Sequence, residues 1–389
     1  MSATKNDGEQ GNGNKGEIKI TKGDRRAAEP DGRADAGGGE DEFKLAKPLR
    51  IVVLVHHELV PPAEPPDDSD PDRQLRKTED DVVFTLRAMG HEVEPIGISN
   101  DLGVIDVAIQ DQRPHAAFNL LEEFAGYPLF SQHVVSYLEL RRLPYTGCNP
   151  LGLALSQDKA LTKKILHYHG IDVPRFAVFP VGLKVKRPAR LGFPLLVKSL
   201  VEEGSRGISQ ASVVDTDEKL SERVEFIHRT TGKHAIAEQF IDGKEVYVSV
   251  IGNRNLQTYT PWELDMENWR EGVPKIATSN VKWNLNYQKK MGVVTKPALL
   301  SEDKERNDDL LNKLQRLSKR IYRILDLSGY ARLDYRITSE GRMYLLEANP
   351  NPQIAGDEDF ADSAAHCGVS YERLLQKIVT LGLRYNPVG

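Results

Sequence analysis

Residues 331–352 read ARLDYRITSEGRMYLLEANPNP. Apolar and polar residues alternate through ARLDYRI and again through MYLLEAN, with Ser339-Glu340-Gly341 between them, the pattern of a β-hairpin. Strand side chains alternate between faces, so Arg332 and Asp334 share a face of the first strand. Glu347 and Asn349 share a face of the second. Antiparallel pairing would gather three hard oxygen donors (Asp334, Glu347, Asn349) beside one guanidinium. Mg²⁺ is held by a few such oxygens and completes its shell with water and phosphate. An arginine beside it suits charge building up on phosphate or at a tetrahedral centre. The same spacing also fits a surface hairpin with scattered charges, so the rest of the chain has to decide.

Composition narrows the choice. The chain has 389 residues, enough for two or three domains, and 39% of them are hydrophobic. A net charge of -5 argues against a nucleic-acid binder driven by bulk electrostatics. No apolar run approaches membrane-spanning length, and the first residues lack the apolar core of a secretory signal. The two cysteines, Cys148 and Cys367, show no metal-ligand spacing, and a reducing cytoplasm is expected.

Residues 1–46 are rich in Gly, Asp, Glu, Lys and Asn and are expected to form a disordered tail, because they cannot bury enough surface to offset ordering entropy. The run from Arg50 to His56 is continuously apolar between its ends, as in a buried parallel strand. A helix from about Arg73 to Met89, closed by Gly90, is expected next, then strands at HEVEPIGI and HAAFNLL. Strand, helix and strand in alternation predict a small open α/β unit, with His56, His57, Glu58, Glu122 and Glu123 at the carboxyl ends of strands where ligands bind. From residue 151 the pattern changes. SQDKALTKKILHYHG predicts a helix with Ser156 as N-cap, Asp158 in its first turn and Gly170 at its end. The segments around PLLVKSL, AIAEQFIDG and KEVYVSVIG read as strands and turns, and SYERLLQKIVTLGL as a closing amphipathic helix.

Three further stretches carry candidate chemistry. Lys198 lies in an apolar strand just before the turn Gly204-Ser205-Arg206-Gly207, where backbone N–H groups and a lysine could meet phosphate. The GxxxxGK[ST] order of a P-loop is absent. Glu238 ends one strand and Glu245 starts the next. A carboxylate there could accept from ribose hydroxyls, and the backbone of Glu238, Gln239, Phe240 and Ile241 could read adenine. A plain strand–turn–strand with exposed acids fits the same residues. Lys159 starts a helix, where a cation opposes the helix dipole, and is a candidate phosphate contact.

In this order, DK-helix, VK with a glycine turn, AEQFIDGKE, ARLDYR and LLEANPNP, the chain resembles the ATP-grasp superfamily, and within it the D-alanine–D-alanine ligase group. The likeness covers roughly residues 140–383 well and 48–139 loosely. It implies an α/β ATP-grasp fold: an N-terminal Rossmann-like domain at 47–150, a central nucleotide lobe at 151–245 and a C-terminal lobe with the hairpin at 246–389. By the resemblance, Lys159 and Lys198 contact phosphates, Gly204–Gly207 is the phosphate flap, Glu238–Ile241 holds adenine and Glu245 the ribose. Asp334, Glu347 and Asn349 bind Mg²⁺, with Mn²⁺ the other candidate. Arg332 stabilises the reacting centre, and Lys282, in SNVKWNLNYQKK, belongs to a loop that closes over ATP. The implied reaction joins a carboxylate to an amine through an acylphosphate, with both cysteines as bystanders. Small-molecule substrates are expected, with no nucleic-acid or membrane partner; many of the relatives are homodimers.

The substrate side departs from the D-alanine pattern. NLLEEFAGYPLFSQ lacks the His-Gly pair of those ligases, and PNPQIAGDEDFADS replaces their Pro-Gly step and small hydroxyl residue. The acidic run Asp357–Asp359, with Glu122 and Glu123, could favour a cationic amine, and equally fits a solvated loop. Rival expectations are a phosphotransferase acting on a hydroxyl acceptor and a regulatory ATP-binding module without turnover.

Overall fold

Three sheets follow one another along the chain in a computed structural model that describes residues 47–66, 70, 72–201, 207–270 and 272–387. The expected tail at 1–46 and the turn residues Gly204, Ser205 and Arg206 lie outside the described residues. The first sheet is parallel, in the order β2-β1-β3, with β1 at Arg50–His56, β2 at Glu92–Ile98 and β3 at Ala116–Asn119. Five consecutive residues of β1, Ile51 to Val55, are buried, as a strand covered on both faces requires. Helices α1 (Lys77–Ala88), α2 (Gly103–Gln112) and α3 (Ser131–Leu140) accompany it. Helix α1 starts four residues later than expected. Arg73 to Leu75 form a turn in which Leu75 N–H donates to Asp72 O at 3.0 Å, and Arg76 is drawn to the Asp70 carboxylate at 2.6 Å.

The helix expected from Ser156 is two helices, α4 (Pro150–Gln157) and α5 (Lys159–Tyr168). Asn149 caps α4, with Pro150 at its first position, so Ser156 falls inside α4 and not at an N-terminus. Asp158 is extended (φ -91°, ψ 100°), and its carboxylate accepts from the N–H groups of Ala160 and Leu161, both at 2.9 Å. That cap restarts the helix and sets the direction of Lys159.

The second sheet is antiparallel, in the order β4-β7-β5-β6: β4 Phe176–Phe179, β5 Leu195–Ser199, β6 Val213–Val214 and β7 Ala235–Gln239. Helix α6 (Asp217–Thr231) covers one face, burying Leu220, Val224 and Ile227 against Leu195, Val197 and Ala237. The third sheet runs β11-β10-β8-β12-β13, with β8 Lys244–Ile251, β9 Gln257–Thr258 paired to β8, β10 Trp262–Met266, β11 Val293–Pro297, β12 Tyr330–Ile337 and β13 Met343–Pro350. Helices α7 (Ser279–Trp283) and α8 (Leu285–Met291) lie between β10 and β11, and α9 (Lys304–Ile324) precedes β12. Leu314, Ile321 and Tyr322 of α9 pack under Val246, Val248 and Leu333.

The chain ends in α10 (Asp359–His366) and α11 (Tyr371–Arg384), the latter capped by Ser370. Leu374, Leu375, Ile378 and Val379 of α11 join Ile51, Val53 and Val55 of β1 in one core, together with Ile251, Tyr330 and Phe360. The C-terminal helix therefore completes the core of the first sheet, and Leu45–Gly389 forms one compact unit. Among the described residues no helix is long and apolar enough to cross a membrane.

Candidate active site

The hairpin pairs as its alternation demands. Arg332 lies opposite Asn349, and Asp334 opposite Glu347. The turn closes with Gly341 N–H donating to Thr338 O at 2.9 Å; at φ 84°, and with Leu310 where a Cβ would project, the position suits glycine. Strict alternation would place Leu345 on the same face as Glu347. The register instead shifts after Asp334, so Tyr335 pairs with Leu345 and Leu346 is an extra residue. The bulge lets Leu345 enter the core while Glu347 and Asn349 keep to the open face. It also frees the Leu346 carbonyl, which accepts from Lys163 Nζ.

A chain of buried charges joins this hairpin to the second sheet. Lys198 Nζ on β5 donates to Glu347 Oε1 at 2.7 Å and stands 3.4 Å from Glu238 Oε2 on β7. Lys163 Nζ on α5 is 3.3 Å from Glu238 Oε1, and Lys159 Nζ is 3.9 Å from Glu347 Oε1. Burial alone would raise the Glu347 carboxyl, but Lys159, Lys198 and Lys282 together hold it well below the usual carboxylate range. Burial opposes the charge of Lys198, and its two carboxylates more than restore it. Burial lowers the ammonium of Lys163.

Arg332 forms a two-pronged bond to its neighbour Asp334, Nε to Oδ1 at 2.9 Å and Nη2 to Oδ2 at 3.0 Å, and lies over the Tyr247 ring at 4.6 Å. Asp359 Oδ2 is 3.9 Å away. Burial nevertheless raises the Asp334 carboxyl, outweighing the help of Arg332. On the same face, two residues along, Arg336 reaches Glu245 Oε2 at 2.8 Å, and Tyr247 Oη donates to Glu245 Oε1 at 2.9 Å.

Between the second and third sheets these residues line a cleft of about 610 Å³. Lys198, Glu238, Gln239, Phe240, Ile241 and Glu245 form one wall, and Lys282, Asp334 and Glu347 close it. A smaller recess of about 260 Å³ adjoins it, lined by Lys159, Glu347 and Asn349. The structure thus gathers the sequence candidates that it describes, apart from Arg332, which bonds to Asp334 but does not itself line the cleft, and Gly207, which is exposed at φ 74° with its carbonyl accepting from Arg223. Ser279 N–H donates to Ile208 O at 3.0 Å, which ties the exit of that turn to the helix carrying Lys282. Lys163 and Arg336 escaped the sequence reading. The available signals were Lys163 one helical turn after Lys159 and Arg336 in phase with Arg332 and Asp334.

Away from the cleft, His56 Nε2 lies 3.9 Å from Glu123 Oε1 and its ring 4.4 Å from that of His57. Glu122 neighbours Glu79 and Tyr330. Asp357 pairs with Lys77. Among the described residues no three His, Cys, Asp or Glu side chains are grouped to hold a metal. Two carboxylates and an amide at paired hairpin positions are the donor set that remains, and they fit a hard divalent cation that keeps water and phosphate in its shell.

Comparison with known proteins gives the family and the fold. The family described as "D-ala D-ala ligase C-terminus" matches residues 165–380. A D-alanine–D-alanine ligase of Bordetella petrii is 30% identical over 245 residues, covering 62% of this chain and 69% of that protein. One of Desulforudis audaxviator is 28% identical over 303 residues, 77% of this chain and 90% of the relative. The solved D-alanine–D-alanine ligase of Bacillus anthracis complexed with ATP superposes with a TM-score of 0.65 at 22% identity, over 86% of this chain and 98% of that one, and so shares the fold. The chain belongs to the D-alanine–D-alanine ligase family of ATP-grasp proteins and is an ATP-dependent ligase that forms carbon–nitrogen bonds.

Proposed function

We propose that the protein condenses a small carboxylate with the amine of an amino-acid-like partner through an acylphosphate, with ATP seated in the cleft between the second and third sheets. The observation that carries this reading is Lys198, which joins Glu238 of one sheet to Glu347 of the other across the cleft. In this reading the backbone from Glu238 to Ile241 holds adenine and Glu245 accepts from the ribose. Lys159 and Lys198 hold the phosphates, and the stretch Gly204–Gly207 serves as their flap. Residues 47–150 form the N-terminal domain, 151–245 the nucleotide lobe and 246–389 the lobe with the hairpin.

The carboxylate oxygen attacks the γ-phosphorus and ADP leaves; the amine then attacks the acyl carbon and phosphate leaves. No protein nucleophile is required, so the chain's task is to position and to neutralise charge. Asp334, Glu347 and Asn349 would hold Mg²⁺, which when bound supplies charge neutralisation on phosphate. Arg332, kept in place by Asp334 and the Tyr247 ring, faces charge developing on the transferring group. Lys282, which lines the cleft from α7, would cover bound ATP. Lys159 and Lys198 keep Glu347 ionised, as a metal ligand must be.

Phosphate release from ATP in the presence of an amino-acid panel, followed by mass spectrometry, tests this. A ligase gives ADP, phosphate and a condensed product. A phosphorylated acceptor would instead identify a phosphotransferase, and no turnover with any pair would remove the catalytic reading of this site.

A further inference from the structure

Arg336 is a buried arginine, 5% exposed, that no requirement of strand pairing explains. It stands on β12 directly opposite Glu245 of β8, two residues beyond Asp334 on the same face. Its guanidinium serves three separate pieces of the cleft. Nη1 donates to Gly243 O at 2.8 Å, in the turn between β7 and β8. Nη2 donates to Glu245 Oε2 at 2.8 Å and to Lys275 O at 2.6 Å, in the segment leading to α7 and Lys282. Gly243 itself is fixed there: at φ 151° an added Cβ would meet Ile337 O at 2.2 Å, so the turn sits hard against the end of β12.

The consequence falls on Glu245. One of its oxygens is held by Arg336 and the other by Tyr247 Oη. Each carboxylate oxygen offers two lone-pair sites, so one acceptor site on each remains while the side chain cannot turn away. Both Glu245 and Arg336 line the cleft. Removing Arg336 leaves a carboxylate and two carbonyls to find new partners, and gives Glu245 back its rotamer freedom.

We propose that Arg336 is a specificity-determining positioning residue: it locks Glu245 as the acceptor for the ribose hydroxyls of the nucleotide and anchors the segment Lys275–Lys282 to that same point. The proposal rests on the placement of ATP given above. A methionine at 336 would fill the space and keep no donor; a lysine would keep the charge without the fork.

The test is calorimetric binding of ATP and of 2′,3′-dideoxyATP, with Mg²⁺, to the full chain and to the variants Arg336→Met, Arg336→Lys and Glu245→Gln. The full chain should prefer ATP by about tenfold to a hundredfold, the worth of a charge-assisted hydrogen bond. Arg336→Met should lose most of that preference, through weaker ATP binding and little change for the dideoxy compound, and Arg336→Lys should retain part of it. Equal weakening for both nucleotides, or an undiminished preference, overturns the proposal. If Arg336→Met does not fold, Arg336→Lys decides, since a merely structural role would leave the preference of the folded lysine variant unchanged. Glu245→Gln separates the two layers. Loss of preference there with full preference in Arg336→Met sinks the role of Arg336 alone; full preference in Glu245→Gln sinks the ribose placement and the proposal with it.

Discussion

Glu347 is where the two halves of the cleft are bound to one another, since it accepts from Lys198 at 2.7 Å and faces Asp334 across the hairpin. Asp334→Asn or Glu347→Gln should therefore cut turnover by at least about 10²-fold at ordinary Mg²⁺, the scale set by losing a pre-arranged electrostatic group. Both substitutions keep shape but leave a buried cation without its carboxylate, so the melting temperature should fall somewhat and rates are compared below each variant's transition. Unchanged phosphate-release rates in both variants would remove the metal role. Lys163 answers a different question. It is 1% exposed and 3.3 Å from Glu238, itself 1% exposed. Lys163→Met should cost roughly 3 kcal/mol, because a buried carboxylate loses one of its two cations. Adding Glu238→Gln should recover part of that loss in a urea titration, since the uncompensated charge disappears. A double variant less stable than the single one would show that the Glu238 carboxylate is still needed by Lys198, 3.4 Å away. Arg332, Asp334, Glu347 and Asn349 were legible because strand alternation fixes their face. Lys163 and Arg336 were not, because each gains meaning only from the carboxylate that another strand brings to it, Glu238 for Lys163 and Glu245 for Arg336.

At the scale of elements, the strands were read more easily than the ends of helices. The break at Asp158 depends on a backbone that leaves the helix for one residue, and DK within an unbroken amphipathic pattern does not announce it. The bulge at Leu346 was equally hidden, since two adjacent leucines satisfy either face of a strand. Helix α1 shows what an element can do to a titrating group. Glu79, in its first turn, is buried, and burial with nearby Glu122 pushes its carboxyl up to about 7 from 4.5. The folded chain then binds more protons than the unfolded chain between these values. The stability contributed by protonated Glu79 is full below about pH 4.5 and is lost as pH rises through about 7. Glu79→Gln should leave the urea midpoint nearly unchanged at pH 4.5 and raise it at pH 8, flattening the profile between. An equal shift at both pH values would mean that Glu79 is ionised throughout.

Across the whole molecule, the least legible feature is which element covers which. The apolar stripe of SYERLLQKIVTLGL shows that α11 buries one face, but periodicity does not say against what. It packs on β1, more than three hundred residues earlier in the chain, in a core that also holds Tyr330 at the head of β12 and Ile251 at the end of β8. Tyr330 lies two residues before Arg332, so the first sheet and the hairpin share a foundation. Ile378, 1% exposed, sits in that core. Ile378→Ala should cost about 2–5 kcal/mol by the usual measure of a truncated core side chain. The informative part is how that loss is distributed. All three tryptophans, at 262, 269 and 283, fall in the stretch from β10 to α7 and none lies on α11 or the first sheet. Their fluorescence therefore follows the third sheet, while far-ultraviolet circular dichroism follows the entire chain. If the shared core couples the sheets, the two signals should move together to lower urea in Ile378→Ala and remain one transition. If circular dichroism instead shows an early loss that fluorescence does not, the first sheet unfolds by itself and the hairpin does not depend on it.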